Sequence, residues 1–335
     1  MARRSGFTMI ELLVSVSIIV ILAGLTIAVV SNTMNSDRIR SSARGVQSAL
    51  AGARDRALRA GRNHDPADPN PLRGLRFIVN DPPIATGTNT VSSMVYVRSL
   101  PPWTEGVPQV FYDVTDTHPN VVRGDGSTKW YGYWTQGLIT TASRIQFNDD
   151  GKWYSIASVN PGSPETITLA QDYLNPTNTP TGLGSSPATN PMTSYKIELA
   201  NAVLPGEQPI SLASGIVINL SQSPAKNNLP SLLPGPPQYF DVMFSSRGTV
   251  AGSLASRGLI HLYLSNIEDV IKGVDPANAQ SGDKIVSTIF TQTGNVGTFP
   301  VDVTDQVVNA TGSAGTDNLA DDPFSFARRG KVAGR

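Results

Sequence analysis

The residues with the clearest chemical potential lie at the start of the chain. A short basic leader ends in Gly6, Phe7 follows it, and Glu11 precedes an uncharged, largely apolar run from Leu12 to Val30. A carboxylate in an apolar helix is unfavourable by roughly a few kcal/mol at the middle of a bilayer and by less near the interface, and such residues are usually functional. Glu11 is therefore a candidate functional residue.

The apolar run is long enough to cross a membrane. Its 19 residues, at about 1.5 Å rise per residue, match a hydrocarbon layer roughly 30 Å thick. Three interpretations compete: a secretory signal, a plain membrane anchor, and a leader that is removed ahead of the helix. A secretory signal is usually shorter and ends in small residues, which Ala28-Val29-Val30 matches poorly. A plain anchor has no use for Glu11, so the third interpretation is favoured.

The run Gly6-Phe7-Thr8-Met9-Ile10-Glu11-Leu12-Leu13 resembles the cleavage signal of type IV prepilins and pseudopilins. The resemblance implies that a prepilin peptidase cuts between Gly6 and Phe7 and methylates the new amino group of Phe7. Removal of six residues, two of them Arg, would leave 329 residues with a net charge of −2.

Glu11 has a physical role in such a subunit. A carboxylate in a low-dielectric layer is costly unless it is paired, and the N-terminal ammonium of a neighbouring subunit can pair with it. We therefore expect Glu11 to set the register of assembly with other pilin-like subunits. The resemblance also implies a single-pass protein of the bacterial inner membrane, with a cytoplasmic N-terminus and a periplasmic body. A secretion or pilus assembly platform would build it into a filament.

The helical pattern continues beyond the apolar run. Apolar residues three or four positions apart share one face: Ile39, Ala43, Val46, Leu50, Ala53 and Ala57. Arg residues lie mostly elsewhere: Arg38, Arg40, Arg44, Arg54, Arg56, Arg59 and Arg62. Gly61 favours a helix end at this point. We expect the apolar stripe to dock on a sheet and the Arg side chains to be solvated, with contact to anionic lipid head groups as an alternative.

The pattern changes after Pro66, which is the first of 25 Pro residues. Short apolar or alternating runs separated by Gly, Pro, Asn and Asp predict one large antiparallel β domain. The predicted strands are Leu75–Val79, Met94–Ser99, Arg144–Phe147, Trp153–Val159, Thr166–Ala170, Tyr195–Leu199, Ile216–Leu220, Phe240–Phe244, Leu259–Leu264, Ile285–Phe290 and Phe299–Val303. The predicted fold class is α+β, with a long N-terminal transmembrane and amphipathic helix packed on an antiparallel, β-rich C-terminal domain.

The predicted organisation has five parts. They are a leader at 1–6, a transmembrane helix at 7–30, an amphipathic helix at 31–62, a β-rich periplasmic domain with polar insertions at 63–325, and a disordered basic tail at 326–335.

Parts of the body resemble a narrower group, the H-type minor pseudopilins of type II secretion and the related FimT-like minor pilins. The resemblance rests on the helix end at 48–62 and on two later runs, 240–248 and 258–264, whereas most of 80–235 is unmatched. It implies a structural subunit of a secretion pseudopilus. The alternative is a FimT-like minor pilin of a pilus or DNA-uptake machine.

The alternative depends on the basic C-terminus. The last ten residues carry four basic side chains and no acid: Arg328, Arg329, Lys331 and Arg335. Residues 63–325 hold 13 basic and 23 acidic side chains, a net charge of −10, which should repel a phosphate backbone. We therefore interpret the tail as a solvated terminus and do not expect DNA as a partner.

Three further motifs have a structural and a functional interpretation. Asn148-Asp149-Asp150-Gly151 could hold calcium, but a hairpin turn is favoured. Arg123-Gly124-Asp125-Gly126 matches an adhesive tripeptide, but it too is interpreted as a turn. On a strand, Trp130-Tyr131-Gly132-Tyr133-Trp134 would place both Trp on one face and both Tyr on the other. Such a surface could hold a sugar or a protein, although packing is favoured.

An enzyme is not expected. The chain has no Cys, lacks the common metalloprotease, hydrolase and P-loop motifs, and has three His: His64, His118 and His261. His261 lies in an alternating run and is expected to be structural or exposed. We predict no catalytic residue, no metal site and no cofactor.

Overall fold

The computed structural model describes residues 9–62, 70–85, 88–104, 111–112, 121–124, 127–141, 143–147, 152–170, 195–220, 239–274, 282–301 and 324–330. The chain divides into two compact units. The first comprises Met1–Arg56, Gly74–Val95 and Gln208–Arg335, and the second comprises Ala57–Arg73 and Tyr96–Glu207. This differs from the single β domain predicted, because the middle of the chain has enough alternating apolar residues to form a core of its own.

A long helix, α1, extends from Met9 to Arg62. The chain has no Pro before Pro66 to interrupt it, and its end agrees with the end predicted at Gly61. The predicted apolar stripe is buried throughout, with Ile39 at 1% exposure and Val46 and Leu50 at 0%. Within the described residues, no helix contains a stretch that is both long enough and apolar enough to cross a membrane.

The strands follow in chain order. They are β1 Arg73–Val79, β2 Thr90–Arg98, β3 Phe111–Tyr112, β4 Val121–Arg123, β5 Arg144–Phe147, β6 Trp153–Asn160, β7 Thr166–Leu169, β8 Tyr195–Glu198, β9 Ala202–Val203, β10 Ile210–Ser211, β11 Ile216–Asn219, β12 Tyr239–Phe244, β13 Val250–Ala251, β14 Leu259–Asn266, β15 Ile285–Phe290 and β16 Asn295–Pro300. Shorter helices are α2 Trp130–Thr135, the 3-10 helix Gly252–Arg257, α3 Ile267–Ile271 and α4 Ser325–Arg329.

The larger sheet has ten strands. Its main order is β13-β12-β1-β2-β11-β14-β15-β16, and β9 and β10 also pair with β2. The pairings of β11 with β14, β14 with β15 and β15 with β16 are antiparallel. The predicted class, α+β with an N-terminal helix and antiparallel β-rich sheets, is confirmed.

The smaller sheet has six strands in the order β3-β4-β7-β6-β5-β8. Alternate residues point into its core, as Ile145 and Phe147 in β5 and Ile167 and Leu169 in β7 show by their burial. One buried and one solvated face is the expected pattern for an antiparallel sheet.

The aromatic run from Trp130 to Trp134 is a helix, so its interpretation as a strand is wrong. Trp130 is fully buried, and its indole Nε1 donates to the Tyr195 hydroxyl at 2.8 Å. Tyr131, Tyr133 and Trp134 are half-buried and pack against the same core. Both a period of 2 and a period of 3.6 fit five residues, and the backbone bonds from the Tyr133 and Gln136 amides to the Lys129 and Gly132 carbonyls show that the run is helical. The packing interpretation is supported.

Most predicted strands agree with the observed strands to within one or two residues. The exceptions are the second, predicted at Met94–Ser99 and observed at Thr90–Arg98, and the last, predicted at Phe299–Val303 and observed at Asn295–Pro300. The turn after β15 is tight and contains Gly294 at a φ of 65°, so pairing resumes at once with Phe290 opposite Asn295. The strand β16 therefore begins four residues earlier than predicted and lengthens the edge of the sheet that packs beside α1.

Candidate functional site

The first described part of α1 presents apolar side chains outward. Met9 is 89% exposed, Ile10 is 72% exposed, and the large apolar residues from Leu12 to Leu22 are between 50% and 63% exposed. Soluble proteins rarely expose a continuous apolar surface of this kind, so such a surface indicates contact with a partner or a membrane. We call Met9–Leu22 the exposed segment.

Glu11 is the charged residue of the exposed segment and lies in the first turn of α1. A negative charge near a helix N-terminus is stabilised by the helix dipole. The side chain is exposed, so a group from another molecule can approach it. The structure therefore places the predicted assembly residue on the accessible surface. Gly6 and Phe7, the predicted cleavage and methylation residues, lie outside the described residues.

Two Ser side chains in the exposed segment bond to the helix itself. Ser15 Oγ donates to the Glu11 carbonyl at 2.7 Å, and Ser17 Oγ donates to the Leu13 carbonyl at 2.9 Å. Such bonds to the carbonyl four residues earlier satisfy a hydroxyl within an apolar helix. Of the polar side chains in this segment, Glu11 is therefore the one suited to bind a charged group.

The later part of α1 packs on the first unit. Gln47 Nε2 donates to the Val296 carbonyl at 3.0 Å, and Thr298 Oγ1 donates to Gln47 Oε1 at 3.1 Å. Arg54 Nε donates to the Gly248 carbonyl at 3.1 Å. These polar contacts lie beside the buried apolar stripe and fix the rotation of the helix about its own axis. The docking on a sheet expected from the sequence is confirmed for residues up to Arg56.

Close approach of the chain to α1 requires glycine at Gly282. Its φ is 85°, and a Cβ there would lie 3.0 Å from Ile39 Cδ1 and 3.1 Å from the backbone of Asn35. The next residue, Asp283, forms an ion pair with Arg40. The pair is largely exposed, and such pairs contribute about 0–1 kcal/mol.

The Arg residues of α1 are mostly on the outward side, as predicted. Arg38, Arg40, Arg44, Arg59 and Arg62 are exposed, whereas Arg54 and Arg56 are partly buried. Exposed Ser41, Ser48 and Ala51 separate the Arg residues along this side. The outward side of docked α1 is therefore basic and polar, unlike the exposed segment.

The predicted C-terminal site is only partly described. Arg328 is exposed on α4, Arg329 is the last residue of that helix, and Lys331 and Arg335 lie outside the described residues. Ala327, directly before Arg328, is fully buried, as is Phe324 just before α4. The prediction of a disordered tail is therefore wrong for residues 326–330. The Phe324 ring and the Ala327 methyl group are buried in a core and hold this segment in place. Sequence reasoning missed this contact, although the apolar pair in a polar stretch was a signal.

His261 is a buried structural residue, at 1% exposure, within the range that the sequence allowed. Its Nδ1 lies 2.8 Å from Thr288 Oγ1, and its ring stacks on Phe324 with centroids 5.2 Å apart. His64, His118 and the run Asn148–Gly151, for which a turn was predicted, lie outside the described residues.

The clearest electrostatic pair lies on neighbouring strands β1 and β12. Arg76 Nε and Nη2 donate to the two Asp241 carboxylate oxygens at 2.7 and 2.8 Å, and the Arg76 guanidinium lies 3.6 Å from the centre of the Tyr239 ring. Burial lowers the pKa of Arg76, but the hydrogen bond and charge of Asp241 outweigh it, so the pKa is raised. Burial raises the pKa of Tyr239. This cluster holds two strands together and serves stability.

Comparisons with known proteins bear on the N-terminal segment. Residues 1–27 match the prokaryotic N-terminal methylation motif. No curated protein and no solved structure matches the chain. The matched residues include Gly6, Phe7 and the whole of the exposed segment with Glu11. The motif implies processing by a prepilin peptidase and assembly with other pilin subunits, and this chain therefore has the N-terminus of a type IV pilin-like protein.

Proposed function

We propose that the chain is a minor pseudopilin, a structural subunit of a type II secretion pseudopilus. The observation that carries the proposal is the division of α1 into the exposed segment and a part docked on the first unit. A helix that only supported the sheet would need apolar residues on one side. The exposed segment instead has large apolar side chains all round, including consecutive Leu12 and Leu13 and the run from Ile18 to Leu22.

The apolar surface suits two environments in turn. Before assembly, the uncharged run from Leu12 to Val30 suits the hydrocarbon of the inner membrane, with the body on the periplasmic side. In a filament, the same surface packs against the helices of other subunits. In both cases the apolar side chains are shielded from water. The free-energy cost of leaving the membrane is therefore offset by burial against the helices of neighbouring subunits.

Glu11 makes an otherwise apolar contact between helices specific. Apolar packing is non-directional and leaves the axial position of one helix against another weakly defined. One carboxylate that bonds to a neighbour's N-terminal ammonium selects a single position, because any slip leaves a charge poorly paired in an apolar layer. Cleavage after Gly6 would create that ammonium on Phe7. We propose no catalytic activity for the chain, whose part is to bind and to be positioned.

Crosslinking between subunits tests the proposal. In membranes that contain the assembly machine, Glu11→Ala should insert normally but lose crosslinks from the exposed segment to other pilin-like subunits, because the pairing charge is absent. Glu11→Gln keeps the size of the side chain and should fail in the same way. Ser15→Ala is the matched control, since its hydroxyl bonds to its own helix, and it should crosslink like the unaltered chain. Unchanged crosslinking in both Glu11 variants would refute the assembly role.

A FimT-like minor pilin that binds DNA is the second candidate, and the exposed position of Arg328 is the observation in its favour. Replacing Arg328, Arg329, Lys331 and Arg335 by Ser removes the charge and leaves Phe324 and Ala327 in place. A salt titration of duplex DNA binding by the detergent-solubilised full chain then separates the candidates. A pseudopilin should bind weakly with or without these residues. Tight binding that falls steeply with salt and disappears in the substituted chain would favour the DNA-uptake pilin.

A further inference from the structure

The larger sheet lies along α1 in a definite direction. Gly282, just before β15, lies against the backbone of Asn35 and Ser36, because a Cβ on it would be 3.1 Å from each. Just after the other end of β15, a Cβ on Gly294 would lie 3.2 Å from Nε of Arg54. The strand β15 therefore runs beside α1 from the neighbourhood of Asn35 to that of Arg54. We call the end of the sheet next to Asn35 the proximal end, since it is closer to the exposed segment.

The short helix α3 also belongs to the proximal end. β14 is antiparallel to β15, with Leu264 opposite Ile285, so Asn266 at the end of β14 extends past the start of β15. The helix α3 begins directly after Asn266, and the Ile267 amide donates to the Gly215 carbonyl at 2.9 Å. The end of the sheet nearest the exposed segment is therefore formed in part by α3.

The proximal end is close to the end of the apolar run. Asn35 and Ser36 follow Val30 by five and six residues, which corresponds to about 8–9 Å along a helix. The polar headgroup layer of a bilayer is about 5–8 Å thick on each side of the hydrocarbon. With Val30 at the edge of the hydrocarbon, the proximal end therefore meets the outer surface of the headgroup layer.

The exposed side chains of the proximal end suit contact with phospholipids. Ile271, the last residue of α3, is 59% exposed although the preceding Val270 is buried, and Lys272 beside it is exposed. Arg38 and Arg44 are exposed on the part of α1 next to this end. Among the described residues, none pairs with the side chain of Arg38, Arg44 or Lys272. These three cations are therefore available to a ligand from outside the chain.

Acidic side chains at the proximal end decide which feature of a lipid is recognised. Asp283 forms an ion pair with Arg40, and Asp269 is buried at 2% exposure. Asp37 and Glu268 are exposed, so two exposed carboxylates stand against the three available cations. This near balance gives little preference for a lipid of net negative charge. A guanidinium can instead bind the phosphate that every phospholipid carries, with two parallel hydrogen bonds.

We propose that the proximal end binds the phosphate groups of phospholipids in the membrane that holds α1. Arg38, Arg44 and Lys272 contact the phosphates, and Ile271 lies among the headgroups. The proposal rests on the proposed function, because that function puts Leu12–Val30 in the membrane. Side chains on a helix point toward its N-terminus, so Arg38 and Arg44 are directed toward the membrane, and their aliphatic parts can lie along apolar surface. The contact fixes the orientation of the body before assembly and is lost when the subunit leaves the bilayer.

A single cysteine tests this contact, because the chain has no other. Ile271→Cys is labelled with a fluorophore, and the full chain is reconstituted in vesicles of phosphatidylethanolamine and phosphatidylglycerol, some of which carry a nitroxide quencher on the headgroup. Gln292→Cys is the matched control, since residue 292 is exposed between β15 and β16 at the opposite end of the same sheet. We expect quenching at position 271 to be several-fold stronger than at position 292. Equal quenching at the two positions would overturn the proposal.

Substitution of the arginines tests the phosphate contacts themselves. In the chain labelled at position 271, Arg38→Ser and Arg44→Ser together should lower the quenching toward the value at position 292. Arg62→Ser is the control, because Arg62 is also exposed on α1 but lies farther from the apolar run, and it should leave the quenching unchanged. Quenching that survives the double substitution would refute phosphate binding by α1.

A third label separates this proposal from the proposed function. Ile18→Cys reports the surroundings of the exposed segment in vesicles whose lipids carry the nitroxide on an acyl chain. Quenching at position 18, together with equal quenching at positions 271 and 292, refutes the lipid contact of the proximal end and leaves the proposed function standing. Absence of quenching at position 18 refutes the membrane location on which both proposals rest.

Discussion

The exposed segment and the docked part of α1 have the same secondary structure and opposite surroundings. In the exposed segment, Leu13 is 62% exposed and Ile19 is 63% exposed, whereas Val46 and Leu50 in the docked part are fully buried. The difference teaches that one continuous helix can be divided by amino-acid pattern alone. Apolar residues on every side direct a helix to partners outside its own chain, and an apolar stripe directs it to its own sheet.

The comparison is tested most strongly by truncating one leucine in each part. Leu50→Ala should lower the free energy of unfolding by about 2–5 kcal/mol, because it opens a cavity beneath the helix. Leu13→Ala should leave that free energy nearly unchanged, since the side chain makes no core contact in the monomer. Denaturant unfolding of the full chain in detergent measures both. Equal losses for the two variants would show that the exposed segment also contributes to the folded body.

A substitution at the edge of the docked part should have a smaller effect. Gly282→Ala places a Cβ at a positive φ and about 3 Å from Asn35 and Ile39, so we expect a loss of about 1–2 kcal/mol. The same unfolding experiment applies. If the loss is absent, the chain around residue 282 does not approach α1 closely.

The opposite sign is expected at Gly45, which is in the docked part but on a side with open space. A Cβ there would meet no atom within 4 Å, so Gly45→Ala should stabilise the protein by about 0.5–1 kcal/mol through helix propensity alone. A gain in denaturation midpoint without a change in slope is the expected result. A loss of stability would mean that α1 packs against something on this side as well.

Much of this division was predictable from sequence because helical periodicity is a local property. The positions of Ile39, Val46 and Leu50 define the docked side, and Glu11 with its uncharged successors defines the exposed segment. Contacts between distant residues were not predictable. Nothing local shows that Phe324 stacks on His261, or that the middle of the chain forms a unit of its own. The aromatic run at 130–134 failed for a related reason, because five residues are too few to distinguish two periods.

The central claim is that the exposed segment belongs to the N-terminal helix of a processed, pilin-like subunit. Intact-mass and N-terminal analysis of the protein from membranes that contain a prepilin peptidase tests it most directly. The account predicts a mature chain that begins with N-methylated Phe7, and a variant with a bulky residue in place of Gly6 should keep its leader and remain in the membrane. An unprocessed chain, or one that begins near Val30, would contradict the account.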